Sequence, residues 1–429
     1  MRAALALALA ACRTAPCGLA APAAVDRPNV LLVVLDDVGV DQLARWGIGA
    51  TTAPTPTLDC LCDRGVRFDT VWASSVCSPG RAQLLTGRLS VRNRIGHNIE
   101  RGEALPDEEV TIGELAQSAG YATAWVGKWH LGGFDSPDGA LGPNRQGFDH
   151  FAGSLANLSV GRDDVPHHEL GYHDWIEVVD GEAREVHTYA TTATVDRALA
   201  FVRGTSGPWL LGVSFNAPHL PRHVPPARLL DGPVLDRPDA QYRAMLAAAD
   251  HELGRLLQEM DPDVLGDTMI VVTSDNGTPA YAVAPPVDPA QHKGTLLEGG
   301  LRVPLLVAGP GVPADRVSAA LVHHVDVLPT IAAWIGARPE AALDGVSLAD
   351  AVRDPSRPVH DVLVDVMFGP DGDLRAAARD DRYKLVRGLD GTTLTRLSPA
   401  GYDDGPPVDE PQEAARLGAA LDRAATPSR

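Results

Sequence analysis

Short apolar runs alternate with longer stretches of helical periodicity over most of this chain. Five runs consist almost wholly of apolar side chains, as expected for the buried strands of a parallel sheet; they span residues 30–35, 122–126, 209–215, 269–273 and 304–308. Helical patterns lie between them, most clearly at residues 110–118, 189–202, 240–260 and 325–335. The alternation predicts an α/β fold, in which helices cover both faces of a large, mostly parallel sheet.

The pattern changes after about residue 344. Short segments at 361–366, 375–378 and 383–386 are separated by Gly and Asp turns, and a helical pattern follows at 412–424. These segments predict a smaller antiparallel sheet packed with one helix. The sequence therefore divides into an N-terminal segment (1–24), a large domain (25–343) and a small C-terminal α+β subdomain (344–429).

Polar groups follow the first four apolar runs. Asp36 and Asp37 end the first, and the next three lead into GKWH (127–130), NAPH (216–219) and SDNG (274–277). In doubly wound sheets ligands bind beyond the carboxyl ends of the strands, so these groups should converge. One carboxylate after a strand is usually a helix cap. Four such groups favour a common site.

The polar groups have two kinds of chemistry. Asp36, Asp37, Asp275 and Asn276 offer only oxygen ligands, which suit Ca²⁺ or Mg²⁺ better than zinc. Adjacent aspartates repel unless a cation lies between them; the alternative is a pair of solvated or arginine-paired loop carboxylates. The opposite charge is supplied by a second set, comprising Arg81, Lys128, His130, His219 and Lys293.

Charge limits the partners of the chain. Its 429 residues carry a net charge of −19 at pH 7, with 45% hydrophobic and 22% charged residues. This balance is typical of a globular protein, and it argues against nucleic acid or an anionic membrane surface as a partner. An anionic substrate must therefore be held by a local group of cations or by a metal ion.

A nucleophile pattern stands at residues 77–81, which read Cys-Ser-Pro-Gly-Arg. Cys77 would begin a helix in which a first-turn proline is tolerated, with the Arg81 guanidinium one turn away. A helix N-terminus beside a guanidinium is a ready anion site. The pattern predicts chemistry on an oxyanion ester.

Cysteines and the N-terminus bear on localisation. Arg2, an apolar stretch at 3–11 and the run Leu9-Ala10-Ala11-Cys12 resemble an export signal with a bacterial lipoprotein cleavage box. They predict a periplasmic or surface protein with a lipid anchor at Cys12; the alternative is a tail of no consequence or a mis-set start. Cys60 and Cys62 are too close in a helix-like segment to bridge each other, and we expect buried, inert thiols.

Six motifs in this order resemble the type I sulfatases of the alkaline phosphatase superfamily, from residue 28 to about residue 352. They are VLLVVLDDVG, SVCSPGRAQLLTGR, GYATAWVGKWHLG, NAPHLP, TSDNG and HKGTLLEGGLRVP. The resemblance implies hydrolysis of a sulfate ester of a small molecule or glycan. It also implies that a formylglycine-generating enzyme converts Cys77 to formylglycine.

The resemblance further implies one Ca²⁺, with Mg²⁺ the lesser alternative. Its ligands would be Asp36, Asp37, Asp275, Asn276 and the side chain of residue 77. Arg81, Lys128, His130, His219 and Lys293 match the remaining active-site positions of the family. The hydrated aldehyde would attack sulfur, His219 would protonate the departing alcohol and His130 would help to release sulfate.

Several points stay open in the sequence. Gly80 stands where the family more often has Ser, Thr or Ala, and glycine weakens a helical turn by up to ~1 kcal/mol. Ser154 or Asn157 could supply a further polar side chain. His97 could contact a sugar or be bonded locally. His167, His168 and His173 could line the substrate mouth or bind a metal, or lie in a solvated loop.

Two rival functions are compatible with parts of the pattern. One is a formylglycine-dependent phosphonate or phosphate ester hydrolase of the same superfamily. The other is a non-catalytic surface lipoprotein that keeps the fold as a binding scaffold. Lys128 and Lys293 stand where a phosphatase would hold its second zinc ion, which favours a single metal.

Overall fold

A computed structural model describes residues 25–159, 170–398, 401 and 405–426. Within these ranges fourteen strands form a ten-stranded mixed sheet and a four-stranded antiparallel sheet. The predicted export segment with Cys12, and His167 and His168, lie outside the described residues. In the described ranges, none of the helices combines the length and apolar character that a membrane crossing requires.

The strands and helices have the following bounds. The strands are β1 (Asn29–Leu35), β2 (Gly65–Trp72), β3 (Ala122–Gly127), β4 (His150–Gly153), β5 (Trp175–Val179), β6 (Glu182–Val186), β7 (Trp209–Ser214), β8 (Thr268–Ser274), β9 (Leu305–Ala308), β10 (Arg316–His323), β11 (Leu363–Phe368), β12 (Leu374–Arg379), β13 (Tyr383–Gly388) and β14 (Gly391–Arg396). The helices are α1 (Pro56–Asp63), α2 (Cys77–Thr86), α3 (Ser90–Asn93), α4 (Ile112–Ser118), α5 (Gly142–Arg145), α6 (Ala190–Gly204), α7 (Pro238–Glu259), α8 (Pro262–Gly266), α9 (Glu298–Leu301), α10 (Val327–Ile335), α11 (Ala349–Arg353) and α12 (Pro411–Ala425).

The large sheet has the order β10-β2-β9-β8-β1-β7-β3-β4-β5-β6. β1 pairs in parallel with β7 and β8, and β3 pairs in parallel with β7. Helices cover both faces, because alternate residues of β1 enter two separate cores: Leu31 packs with α6 and α7, whereas Leu32 packs with α2, α4 and α10. The predicted α/β class is confirmed.

One predicted strand runs in the opposite direction. We expected 304–308 to be a parallel strand, but β9 is antiparallel to both β2 and β8. All four of its residues are buried, so its apolar run marks burial and carries no information on direction. The prediction of a parallel strand was therefore wrong.

The C-terminal sheet has the predicted antiparallel form. β11, β12, β13 and β14 pair in sequence order, and α12 covers them through Leu417 and Leu421. A second apolar cluster joins this sheet to the large one, with Leu363 and Ala377 packed near Trp72 and Leu301. The domain limits at residues 25, 343 and 344 remain predictions.

The cysteines of α1 differ from one another. Cys62 is a free, buried thiol whose pKa is raised to about 12 by burial. Cys60 is disulfide-bonded. Cys62 and Cys77, the other cysteines within the described ranges, are free. The expectation of two inert thiols was wrong for Cys60, since spacing within one helix says nothing about distant partners.

Candidate active site

The polar residues predicted to converge do so at one edge of the large sheet. Neighbouring strands β8, β1, β7 and β3 end there in parallel. Asp36 and Asp37 follow β1, and Asp275 and Asn276 follow β8. Lys128 directly follows β3. All five side chains are buried.

Cys77 begins α2, as predicted, and faces this group. Its Sγ lies 3.7 Å from Asp36 Oδ1, 3.8 Å from Asp37 Oδ1 and 3.1 Å from Lys293 Nζ. The side chain is 1% exposed. Burial raises the pKa of the thiol far above its usual value despite the nearby lysines. An unmodified Cys77 would therefore be a poor nucleophile.

Gly80 lets α2 approach the end of β8 closely. A Cβ atom at this position would lie 2.0 Å from the backbone oxygen of Asp275. The sequence predicted only a weaker helical turn here. The structure adds a second role, because no larger residue fits between α2 and Asp275 without movement of one of them.

Arg81 is anchored on three sides. Its Nε donates to Asp275 Oδ2 (2.9 Å), and its Nη1 donates to Ser214 Oγ (2.7 Å) and to the Lys128 carbonyl oxygen (3.1 Å). The residue is 1% exposed, so the guanidinium has a fixed orientation. Sequence reasoning missed Ser214, the last residue of β7; its place at a strand end was the available signal.

Lysines and carboxylates alternate around Cys77. Lys128 Nζ donates to Asp36 Oδ2 (2.5 Å), and Lys293 Nζ donates to Asp37 Oδ1 (2.5 Å). Burial, with the charge of Asp275, raises the pKa of Asp36 to about 7. Burial alone would also raise the pKa of Asp37, but Lys293, His219 and Lys128 outweigh it and hold that pKa well below its usual range.

Backbone strain is concentrated at two of these positions. Asp37 has φ 69° and His130 has φ 62°, in the left-handed region that side chains with a Cβ rarely adopt. Such conformations persist where the surrounding structure imposes them, often at functional sites.

The donors fit a hard cation. Asp36, Asp37, Cys77 and His219 each offer an atom within 4.8 Å of the others. Asn276 Oδ1 is buried without a hydrogen-bond partner, and Asp275 Oδ1 lies beside the group, where it accepts from the Asp37 amide (3.1 Å). Buried carboxylate oxygens with an unused amide oxygen are the ligands that Ca²⁺ and Mg²⁺ prefer.

The two site histidines are held neutral. Burial, with Lys128, lowers the pKa of His219 to about 3, and the same two effects lower the pKa of His130 well below its usual value. His219 Nδ1 lies 3.1 Å from the Leu220 carbonyl oxygen, which can only accept. Nδ1 therefore carries the proton, and Nε2, 3.9 Å from Asp37 Oδ2, presents its lone pair.

The remaining candidates have varied surroundings. Ser154 Oγ accepts from Asn216 Nδ2 (3.0 Å), whereas Asn157 Oδ1 is buried without a partner. His97 Nε2 lies 3.1 Å from Glu103 Oε2. This is the local hydrogen bond that the sequence analysis gave as the alternative to a sugar contact. His173 packs against the rings of Tyr189 and His223.

The nucleophile position, residue 77, lies among buried carboxylates and fixed cations, beyond the ends of parallel strands. Such a site is typical of hydrolases that act on esters of tetrahedral oxyanions. A family model for sulfatases matches residues 28–337. The chain belongs to the sulfatase family, as a type I sulfatase of the alkaline phosphatase superfamily, and it is a sulfuric ester hydrolase.

Individual relatives agree over most of the chain. Arylsulfatase G of Rattus norvegicus is 33% identical over 409 residues, covering 83% of this chain and 75% of that protein. Arylsulfatase A of Bos taurus is 32% identical over 405 residues, covering 84% and 75%. The crystal structure of Ps i-CgsB superimposes with a TM-score of 0.82 at 25% identity, over 93% of both chains.

Proposed function

We propose that the protein hydrolyses an aryl or carbohydrate sulfate ester, with formylglycine at position 77 and one Ca²⁺. The observation that carries the proposal is the place of Cys77: it begins α2 with its Sγ within 4 Å of two aspartates and two lysines. A buried thiol there is unreactive, whereas a modified side chain would face both the metal ligands and the cations.

The metal ligands in this proposal are Asp36, Asp37, Asp275, Asn276 and residue 77. Asn276 Oδ1 supports it, because a buried amide oxygen without a partner is costly unless a ligand satisfies it. When bound, the ion supplies Lewis acidity to the attacking oxygen and the sulfate oxygens. The ion also offsets the repulsion among the three buried carboxylates.

Formylglycine as its hydrate supplies two hydroxyls on one carbon, one to attack sulfur and one whose deprotonation expels sulfate. A serine has only one hydroxyl and would remain sulfated. Because Cys77 is 1% exposed, the maturation enzyme must reach it before the chain folds.

The surrounding side chains have separable tasks. Lys128 and Lys293 bind the equatorial sulfate oxygens, and Arg81 orients Asp275 and the first turn of α2. Lys293 holds a proton at Nζ, 3.1 Å from Cys77 Sγ. The Nε2 atom of His219, which carries no proton at rest, can take up that proton and pass it to the departing alcohol. His130 is neutral and can accept the proton of the second hydroxyl.

The proposal is tested by co-expression with a formylglycine-generating enzyme. Mass spectrometry of the tryptic peptide that ends at Arg81 should show formylglycine, and the protein should hydrolyse 4-nitrophenyl sulfate in a Ca²⁺-dependent manner. A matched Cys77→Ser protein should become sulfated once and stop. Full activity with an unmodified Cys77 contradicts the proposal, and so does preference for a phosphonate monoester over the sulfate.

We also propose that the protein is exported and is either periplasmic or lipid-anchored at Cys12. The disulfide at Cys60 supports export, because such bonds persist mainly in oxidising compartments. Fractionation of cells that express the full chain should place it in the periplasm or membrane fraction. Recovery in the cytoplasm with all five cysteines open to alkylation contradicts export.

A further inference from the structure

Arg222 is a cation beside the candidate active site without a task in the proposed mechanism. It lies three residues after His219, and its side chain is exposed. Its Cζ lies 4.9 Å from the centre of the Tyr281 ring. Among the described residues it makes no ion pair and no hydrogen bond.

Tyr281 connects Arg222 to the metal ligands. Its ring meets the Tyr242 ring edge-on at 6.2 Å, and the Tyr242 hydroxyl donates to the Asp37 carbonyl oxygen (2.6 Å). One aromatic ring therefore separates Tyr281 from Asp37. Burial and the charge of Asp37 raise the pKa of Tyr281 to about 12.

Both groups have unused hydrogen-bonding capacity. The Tyr281 hydroxyl is buried and has no hydrogen-bond partner, an arrangement that folded proteins usually avoid. The Arg222 guanidinium lies over the Tyr281 ring, and its N–H groups stay available for a two-pronged contact with an oxyanion. Arg222 and Tyr281 therefore leave N–H and O–H donors unused, one aromatic ring away from Asp37.

The other arginine of this segment shows the contrast. Arg228 is also exposed, but its Nη2 donates to Thr192 Oγ1 (2.8 Å) and lies 4.0 Å from Glu252 Oε1. Its charge is compensated within the fold. Arg222 keeps an uncompensated charge in a chain whose net charge is −19, so it locally favours anions that the rest of the molecule repels.

We propose that Arg222 and Tyr281 form a second subsite that binds an oxyanion on the alcohol part of the sulfate ester. The inference rests on the proposed function, since the first sulfate must occupy the site at residue 77. It narrows the substrate class to esters with a second negative charge, such as acidic or multiply sulfated sugars. Arg222 would bind the carboxylate or second sulfate, and the Tyr281 hydroxyl would bond a neighbouring oxygen.

Binding to the Cys77→Ala protein with Ca²⁺, which has no nucleophile at residue 77, tests the subsite without transfer of sulfate. The probes are phenyl sulfates with a carboxylate or a second sulfate at the ortho, meta or para position, each compared with the carboxamide at that position. By calorimetry, at least one charged probe should bind about tenfold or more tightly than its carboxamide, the size of a hydrogen bond to a charged group. Comparison of the carboxylate probes with the probes that carry a second sulfate shows which of the two oxyanions the subsite prefers.

Variants assign the preference to the pair. Arg222→Gln should reduce the ratio of affinities to about one, and Tyr281→Phe should weaken all probes, whereas Arg228→Gln should leave the ratio intact. An unchanged ratio in Arg222→Gln, or equal binding of charged and neutral probes by the parent, overturns the subsite alone. If the parent binds none of the sulfates, the proposed function fails as well.

Discussion

Single residues set the distances between groups in this site. Cys77 reaches the carboxylates because Gly80 lets α2 lie against the Asp275 backbone, and Arg81 is held in place by Ser214 as well as by Asp275. Of these, the motif predicted Cys77 and Arg81, which carry chemistry. Gly80 and Ser214 act through packing and hydrogen bonding between segments that are distant in the sequence. A local motif does not show how such segments meet.

Replacing Gly80 with alanine should destabilise the protein, although alanine is the better helix former by ~1 kcal/mol. The new methyl group would lie 2.0 Å from the Asp275 oxygen, and overpacking of this kind costs about 1–3 kcal/mol. We expect a lower free energy of unfolding in urea and reduced sulfatase activity. Gly204→Ala, in α6 with nothing within 4 Å, is the control; equal stability of the two variants would refute the tight approach.

His324, which lies beneath the same helix, makes the stability of the protein depend on pH. Its Nε2 lies 2.9 Å from Thr273 Oγ1 and its Nδ1 lies 3.3 Å from the Gly80 oxygen. Burial lowers its pKa from 6.5 to about 4. As the pH falls, His324 is therefore protonated in the unfolded chain before it is protonated in the folded protein. The stabilisation is complete above the unfolded pKa and is lost as the pH falls towards 4.

His324→Gln should therefore flatten the pH profile. Between about pH 7 and pH 5 the parent should lose about 2 kcal/mol more free energy of unfolding than the variant. Urea unfolding at both pH values measures this difference. The exposed His251→Gln should keep the parental profile, and a His324→Gln profile as steep as the parent's would show that the histidine does not titrate on unfolding.

At the scale of elements, the sequence predicted the buried, apolar strands best. β1, β7 and β8 were found because nearly every residue in them is apolar and buried. Pairing direction was not predictable for β9, and β2 was missed because Arg67 and Asp69 interrupt its apolar pattern. The convergence of the strand-end groups could be predicted, since parallel neighbours end at one edge.

A buried ion cluster joins the C-terminal sheet to the segment that follows Lys293. Glu298, the first residue of α9, accepts from Arg379 Nη1 (2.5 Å), Lys384 Nζ (3.1 Å) and Trp72 Nε1 (3.1 Å). All four residues are buried. Because these charges are out of water, the cluster should contribute far more than a surface pair once one charge is removed.

Glu298→Gln removes the charge that faces both cations and should cost about 3–5 kcal/mol of unfolding free energy. Arg353→Ala breaks the exposed Arg353–Asp350 pair, whose side chains are 68% and 66% exposed, and should cost at most about 1 kcal/mol. Thermal or urea unfolding of both variants provides the comparison. Equal losses would show that the cluster does not bind the two sheets together.

At the scale of the whole molecule, the C-terminal sheet supports the site as well as the core. Asp365 in β11 accepts from Gln83 Nε2 in α2 (2.7 Å) and from Ser74 Oγ, three residues before Cys77 (3.2 Å). Ser75 Oγ also donates to Met367 Sδ (3.0 Å). The sheet thus holds the chain on both sides of the nucleophile, which its sequence pattern gave no means to predict.

A chain that ends at residue 343 should therefore fail to form the active site. Removal of the sheet would expose Trp72 and leave Glu298 without Arg379 and Lys384, while Gln83 and Ser74 would lose a shared carboxylate. We expect no cooperative unfolding transition by circular dichroism and no sulfatase activity after co-expression with the maturation enzyme. The full-length Asp365→Leu variant separates the two effects: it keeps both sheets, so it should unfold cooperatively but with reduced activity. A truncated chain that unfolds cooperatively and retains activity would show that residues 25–343 are self-sufficient, and that β11 only covers the site.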